Sequence, residues 1–321
     1  MKRFLVLGLV FAASLAFAEA DARQMLAGGN VDDVIRELSS KTHASPNDAE
    51  AYHLLNRAYL VLEKWDQAIK AGEKAVALSP NTSDYHMWLG RAYGSKAEHS
   101  GWFSGMSNAK KARAEFEKSV ELNGTNAEAR TDLAEFYMEA PGILGGGKDK
   151  ALAQAEAMAA SDAASAHWVK GRVAEKSGQF DMAETEYKTA IQVSKRPAGD
   201  WLNLASFYRH RGRTAEVGDA IHHALEADKS NPRKKSNVLY GAAEILYRSG
   251  QDFNGAAQLL RRYINGPDKT EDAPAFQAHY LLGQILEKQG NKPGAAEEYR
   301  AALALAPAYE QAQSALKRVS Q

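Results

Sequence analysis

The chain has 321 residues, with 40 basic and 40 acidic side chains and no cysteine. Balanced charge removes the basic face on which a nucleic-acid binder depends. Without thiols there are no disulfides, no cysteine nucleophile and no attachment point for a bacterial lipid anchor.

Lys2 and Arg3 open the chain, Phe4 to Phe17 is apolar and uncharged, and Ala16-Phe17-Ala18 fits small-x-small cleavage. Residues 1–18 therefore read as a secretory signal, with a mature chain from Glu19. The run is short for a bilayer span, which disfavours the alternative of a retained anchor. Export without an anchor predicts a periplasmic protein, or one secreted beyond the cell. Residues 19–46 predict a degenerate helical hairpin closed by Pro46, with Val34 and Leu38 where a second helix needs apolar side chains.

From Ala49 onward the chain repeats with a period of roughly 34 residues. In the first unit Leu55, Asn56, Tyr59, Ala68, Ala75 and Pro80 hold positions 7, 8, 11, 20, 27 and 32. The frame restarts at Ala164 (Gly171, Ala183, Tyr187, Ala190), at Ala198 (Trp201, Leu204, Ala205, Tyr208, Ala224) and at Asn237 (Tyr240, Tyr247, Ala256, Leu260). It restarts again at Phe276, with Leu282, Gly283, Ala295, Tyr299, Ala302 and Pro307 in place. These five units lie in the frame without a gap; two more, from Ser83 and Ala127, keep it with an interruption. The predicted units span 49–82, 83–126, 127–163, 164–197, 198–236, 237–275 and 276–307, and residues 308–321 predict a capping helix. Small residues at 8, 20 and 27 let two helices approach, and large ones at 4, 7, 11 and 24 fill the space between hairpins. Gly178, Gly212, Gly250 and Gly290 follow first helices, and Pro80, Pro232 and Pro307 follow second ones. Helical spacing recurs while strict alternation is absent, so almost no strand is expected.

This spacing resembles that of the tetratricopeptide repeat family, and of uncharacterised exported bacterial proteins built from it. The resemblance implies an all-α fold, a right-handed α-solenoid of helix hairpins with a C-terminal capping helix. It also implies a protein–protein or protein–peptide interaction scaffold, with envelope assembly or secretion as its setting.

The interrupted units are adjacent. Ala112 takes position 20 of the unit from Ser83 ten residues late, and Ala151 takes position 20 of the unit from Ala127 five residues late. Both insertions fall between the helices of a hairpin and are expected to meet on one edge of the stack. They carry Trp102, Phe103 and Met106 in one, and Ile143 and Leu144 in the other. Two readings follow: the loops bury these side chains against each other, or they present an apolar patch for a partner. A lipid or small apolar ligand at the same patch is the alternative function.

The resemblance places positions 2, 5, 9, 12 and 13 of each first helix on the concave face. Those positions hold Arg57, Arg91, Glu135 and Arg172 at 9, Arg209 and Arg248 at 12, and His53, Met87, Trp168 and Tyr280 at 5. Guanidinium groups beside aromatic rings suit carboxylates or an acidic peptide. The competing reading pairs them with acidic neighbours such as Glu135 and Glu175. The family's carboxylate clamp uses Lys at 5 and Asn at 9; His53 and Arg57 stand there, so that specificity is not implied.

No catalytic group, metal site or cofactor is expected. Gly142 to Lys148 fits G-x-x-x-x-G-K, but Asp149 follows where a phosphate loop needs Ser or Thr, and a helix precedes it. His222 and His223 are adjacent and point to different faces. His86, His167 and His279 all occupy position 4, which predicts a packing role. H-E-x-x-H and G-x-S-x-G are absent, so an enzyme is the weakest reading. Arg233-Lys234-Lys235 predicts a solvated helix end. The predicted partners are proteins or peptides, without nucleic acid and without a stable membrane anchor.

Overall fold

The structure, a computed structural model, describes residues 22–229 and 236–321. The secretory-signal assignment at 1–18, and Pro232 with the basic run 233–235, lie outside the described residues. The described chain is helical from end to end. Residues 22–28 form α1, and Val31–Ala44 forms α2. Seven hairpins follow. They are α3 (Ala49–Val61) with α4 (Trp65–Leu78), α5 (Ser83–Glu98) with α6 (Trp102–Leu122), α7 (Ala127–Glu139) with α8 (Lys148–Met158), and α9 (Ala163–Lys176) with α10 (Phe180–Val193). The last three are α11 (Ala198–His210) with α12 (Thr214–Lys229), α13 (Val238–Ser249) with α14 (Phe253–Asn265), and α15 (Ala275–Lys288) with α16 (Lys292–Leu305). The capping helix is α17 (Glu310–Val319). Among the described residues the only extended pairing is a single bridge between Thr270 and Ala273.

Side-chain caps start several helices. Asp48, Asn126, Asp162, Asp252 and Asn291 each accept a hydrogen bond from a first-turn amide. Within a hairpin, a small residue on the first helix faces a ring on the second. A Cβ added to Gly90, Gly171 or Gly283 would stand 2.7, 3.0 and 2.5 Å from Phe116, Tyr187 and Tyr299 respectively. The first hairpin reverses the pair: Asn56 is the larger partner, its amide donating to Ala68 O at 2.8 Å, and Gly72 leaves the room. Complementary volume across the hairpin, more than residue identity, therefore carries the repeat.

The position-4 histidines do pack in a common way. His86, His167 and His279 place Nδ1 2.6, 2.6 and 2.7 Å from Glu115, Glu186 and Glu298 on the second helix of the same hairpin. A second recurrent bond ties hairpins together: the hydroxyls of Tyr93 and Tyr137 donate to Glu73 and Glu117 of the preceding unit.

Two features differ from the sequence expectation. The unit from Asn237 is not gapless. Ala243 is fully buried, while Glu244, which the frame puts at position 8, reaches outward to Arg248. One extra residue in the turn after Gly250 restores the frame at Ala256. The first insertion is also no loop. It lengthens α5 by three residues and α6 by seven relative to α3 and α4, so the hairpin tip projects by roughly 5–10 Å of extra helix.

The two ends of the solenoid meet. Leu26, Val34, Leu54 and Ala58 share one apolar cluster with Phe276, Ala302, Tyr309 and Ala312. Gly29, at φ 92°, approaches so closely that a Cβ would lie 3.0 Å from the Phe276 amide nitrogen. Gln277 donates to Val61 O at 3.1 Å, and the Ala308 amide donates to Asp32 at 3.3 Å.

Candidate interaction surfaces

The groove arginines lie on the first helices as expected, but each has a partner. The Arg91 guanidinium grips Asp132 at 2.6 and 3.1 Å and Glu128 at 2.7 Å, both from the next unit. Arg172 reaches Glu139 at 3.3 Å, which also takes Lys176 at 2.5 Å. Arg248 binds Glu244 one turn back at 2.7 Å, and Arg209 lies 2.7 Å from His210 Nε2. Arg172 and Arg209 each retain a buried Nε with no acceptor. Trp168 lies beside Arg172, whose guanidinium carbon is 5.9 Å from its ring centre.

The carboxylates of α7 line the groove face of the third unit and largely balance its arginines. Burial raises the Asp132 and Glu135 carboxyls above the usual carboxylate range, and in each case a neighbouring carboxylate adds to it. The groove is therefore mixed in charge. An acidic peptide would have to compete with α7 for Arg91.

His53 and Arg57 are not open to solvent. Both are buried, the Arg57 guanidinium pairs with Glu271 of the α14–α15 connection, and His53 stacks on Tyr85 at 4.6 Å. Burial, then the charges of Arg57 and Arg23, push the His53 imidazole down to about 3. Trp88, not singled out by position, is the hub: Arg57 and Arg91 lie over its ring at 4.2 and 4.6 Å.

The insertions do not form a shared apolar core. Trp102, Phe103 and Ile143 are 71, 83 and 80 % exposed, and Met106 is half-buried. Leu144 leaves the patch. It is buried, and its carbonyl accepts from Arg113 on α6 at 3.0 Å. That contact is with the regular part of α6, one residue past Ala112 and eleven residues or roughly 16 Å along the helix from Trp102, so the two insertions are not joined there.

The glycine-rich run behaves as a tight turn. Gly142–Leu144 forms one 3-10 turn, and Gly146 and Gly147 amides donate to Pro141 O and Tyr137 O at 3.2 and 2.8 Å. Those amides are spent on the chain's own carbonyls, and Asp149 sits in the first turn of α8. His222 and His223 place their rings 5.8 Å apart, and His223 stacks on Trp201. Among the described residues there is no group of three His, Asp or Glu side chains placed to hold a metal, and no helix long and apolar enough to cross a membrane. A polar cleft of about 1030 Å³ runs along the connections at Ser161–Ala163, Ser194–Pro197 and Asp228, with Asp272 on its far wall.

Three stretches match models of the tetratricopeptide repeat, at residues 54–95, 164–197 and 276–318. The chain is 22 % identical over 300 residues to Superkiller complex protein 3 of Mus musculus, covering 80 % of this chain but only 18 % of that protein. Among solved structures, yeast Tom70 superposes with a TM-score of 0.56 at 15 % identity, over 90 % of this chain and 58 % of that one. A thermophilic repeat protein of Thermus thermophilus gives a TM-score of 0.48 at 20 % identity, over 59 % and 98 % of the two chains. At such an identity the Tom70 superposition speaks for the fold alone. Helix pairs in register, small residues facing rings and the three matched stretches agree that the chain is a tetratricopeptide repeat protein, with the all-α solenoid of a protein–protein interaction scaffold.

Proposed function

We propose that this protein is a non-catalytic exported scaffold that docks a protein partner at the tip of the α5–α6 hairpin, with the groove of the middle units as a second contact. The observation that carries this is the exposure of Trp102 and Phe103, 71 and 83 %, on a hairpin longer than its neighbours. Helix fixes the backbone that carries these rings, which lowers the ordering cost on binding, and aromatic anchors dominate interface energies. The part-exposed guanidinium of Arg172, beside Trp168, supports an anionic group from the partner in the groove. Lys2, Arg3 and the apolar run to Phe17 support export, and envelope assembly or secretion is the setting that export suggests.

The test is capture by crosslinking from the native envelope with wild-type protein and the Trp102→Ala/Phe103→Ala variant. Loss of a saturable partner with an unchanged melting temperature is expected. Undiminished capture of the same partner overturns the assignment to the hairpin tip.

One observation favours a second reading, contact with an anionic lipid surface. No acidic side chain lies between Glu98 and Glu115, and Lys110 follows Met106 by one helical turn. Co-sedimentation with phosphatidylglycerol vesicles that disappears in the double variant identifies it.

A further inference from the structure

The α14–α15 connection, residues 266–274, lies against the inner face of the first full unit, across the whole length of the repeat array. Tyr263 holds it in shape: its hydroxyl donates to Ala273 O at 2.7 Å and accepts from the Thr270 amide at 2.9 Å. Glu271 is thereby aimed at Arg57, with Arg23 4.0 Å away. This contact sits beside the apolar cluster that joins the two ends.

The closure is incompletely satisfied. Arg57 Nε, Glu271 Oε2, Thr270 Oγ1 and Gln311 Oε1 are all buried without a partner. Across the same seam, Glu63 adopts φ 58°, a conformation taken by glycine at the equivalent turn in four other hairpins, and its carboxylate meets Gln311. Buried polar atoms left unpaired weigh against the closed state. The apolar contacts and the Arg57–Glu271 pair weigh for it.

We infer that residues 266–274 are a latch: a displaceable intramolecular occupant that keeps the solenoid closed and covers the inner face of the first unit around Arg57, His53 and Trp88. A segment entering the groove there must release Glu271 from Arg57 and part the two ends. This stands apart from docking at the α5–α6 tip and does not depend on it.

The absence of native cysteine makes the test clean. Spin labels are placed at the exposed sites Glu37→Cys on α2 and Lys317→Cys on α17, and their separation is measured in otherwise wild-type protein, in Glu271→Lys, and in the charge swap Arg57→Glu with Glu271→Arg. One narrow distance is expected in the wild type, a second longer population of at least a fifth of the molecules in Glu271→Lys, and restoration of the narrow distance in the swap. Circular dichroism confirms that each variant keeps its helices. A single unchanged distance in Glu271→Lys overturns the latch, as does a broad distribution in the wild type or a swap that fails to restore closure. A synthetic peptide of residues 266–274 provides an independent readout: it is expected to bind Glu271→Lys at least tenfold more tightly than wild type. Equal binding to both proteins contradicts the proposal.

Discussion

Glu63 is the one described non-glycine residue with a positive φ, and its carboxylate accepts a hydrogen bond from Gln311 at the other end of the chain. Gly178, Gly212, Gly250 and Gly290 stand at the corresponding turns, where a left-handed residue lets the backbone reverse. The first hairpin gives up the easier residue and gains a side chain that reaches the capping helix.

That relationship predicts an inverted ranking of two substitutions. Glu63→Ala removes the hydrogen bond and keeps the strain, whereas Glu63→Gly removes both. Glycine is therefore expected to be more stable than alanine here by about 1 kcal/mol, the approximate cost of left-handed geometry for a residue with a Cβ. Urea unfolding measures it; alanine equal to or above glycine contradicts the reading.

The hairpin glycines should respond in order of clearance. Alanine at Gly283 brings a Cβ to 2.5 Å from Tyr299, and at Gly171 to 3.0 Å from Tyr187. Overpacking costs roughly 1–3 kcal/mol, offset in part by the roughly 1 kcal/mol that alanine gains over glycine in a helix. Gly283→Ala should lower the melting temperature and Gly171→Ala should change it much less. The reverse order would place the wrong residues face to face.

Arg91 tests whether a groove arginine is structural. Its removal leaves Asp132 half-buried beside Glu128 without its cation. Arg91→Ala is expected to destabilise the protein by about 1–3 kcal/mol, and adding Asp132→Asn should recover much of the loss. Additive losses would show that the pair contributes nothing to stability.

His86 predicts a pH dependence. Burial opposes its charge, but the Glu115 carboxylate and the Pro80 carbonyl, at 2.6 and 2.9 Å, each accept from one ring nitrogen and raise it above the ordinary 6.5. A folded value above the unfolded one adds stability that is complete below the unfolded value and fades as pH rises through the folded one. The stability difference between wild type and His86→Gln should therefore be larger at pH 5.5 than at pH 8.5. A difference that is flat or grows toward pH 8.5 argues against the charged pair.

The hairpins were legible in the sequence because close approach demands small residues at fixed spacing, and Gly171, Ala183 and Ala190 show it directly. The offset at Ala243 was hidden because Tyr247 and Ala256 still fit the frame. Gly101, Ser104 and Gly105 read as a loop, yet α5 gives the lengthened α6 a surface to lie on, and neighbouring helix overrides local preference. The closing of the ring was not legible at all. Arg57 and Glu271 are brought together by the accumulated curvature of the stack, which no local pattern carries. The acidic partners of Arg91 were missed for a different reason: on the next unit's first helix Asp132 stands at position 6, outside the concave set, and Glu128 at position 2, inside it, while the pairing expected from sequence was with Glu135 and Glu175.

The most direct measurement of the central claim is site-specific photo-crosslinking in the native host. A photoreactive residue replaces Phe103 on the α5–α6 tip in one strain and Trp168 in the groove in another. The account predicts one saturable protein adduct at position 103, lost when Trp102 is also changed to Ala, with a weaker adduct to the same protein at 168. An adduct at 168 alone, with none at 103, would contradict it.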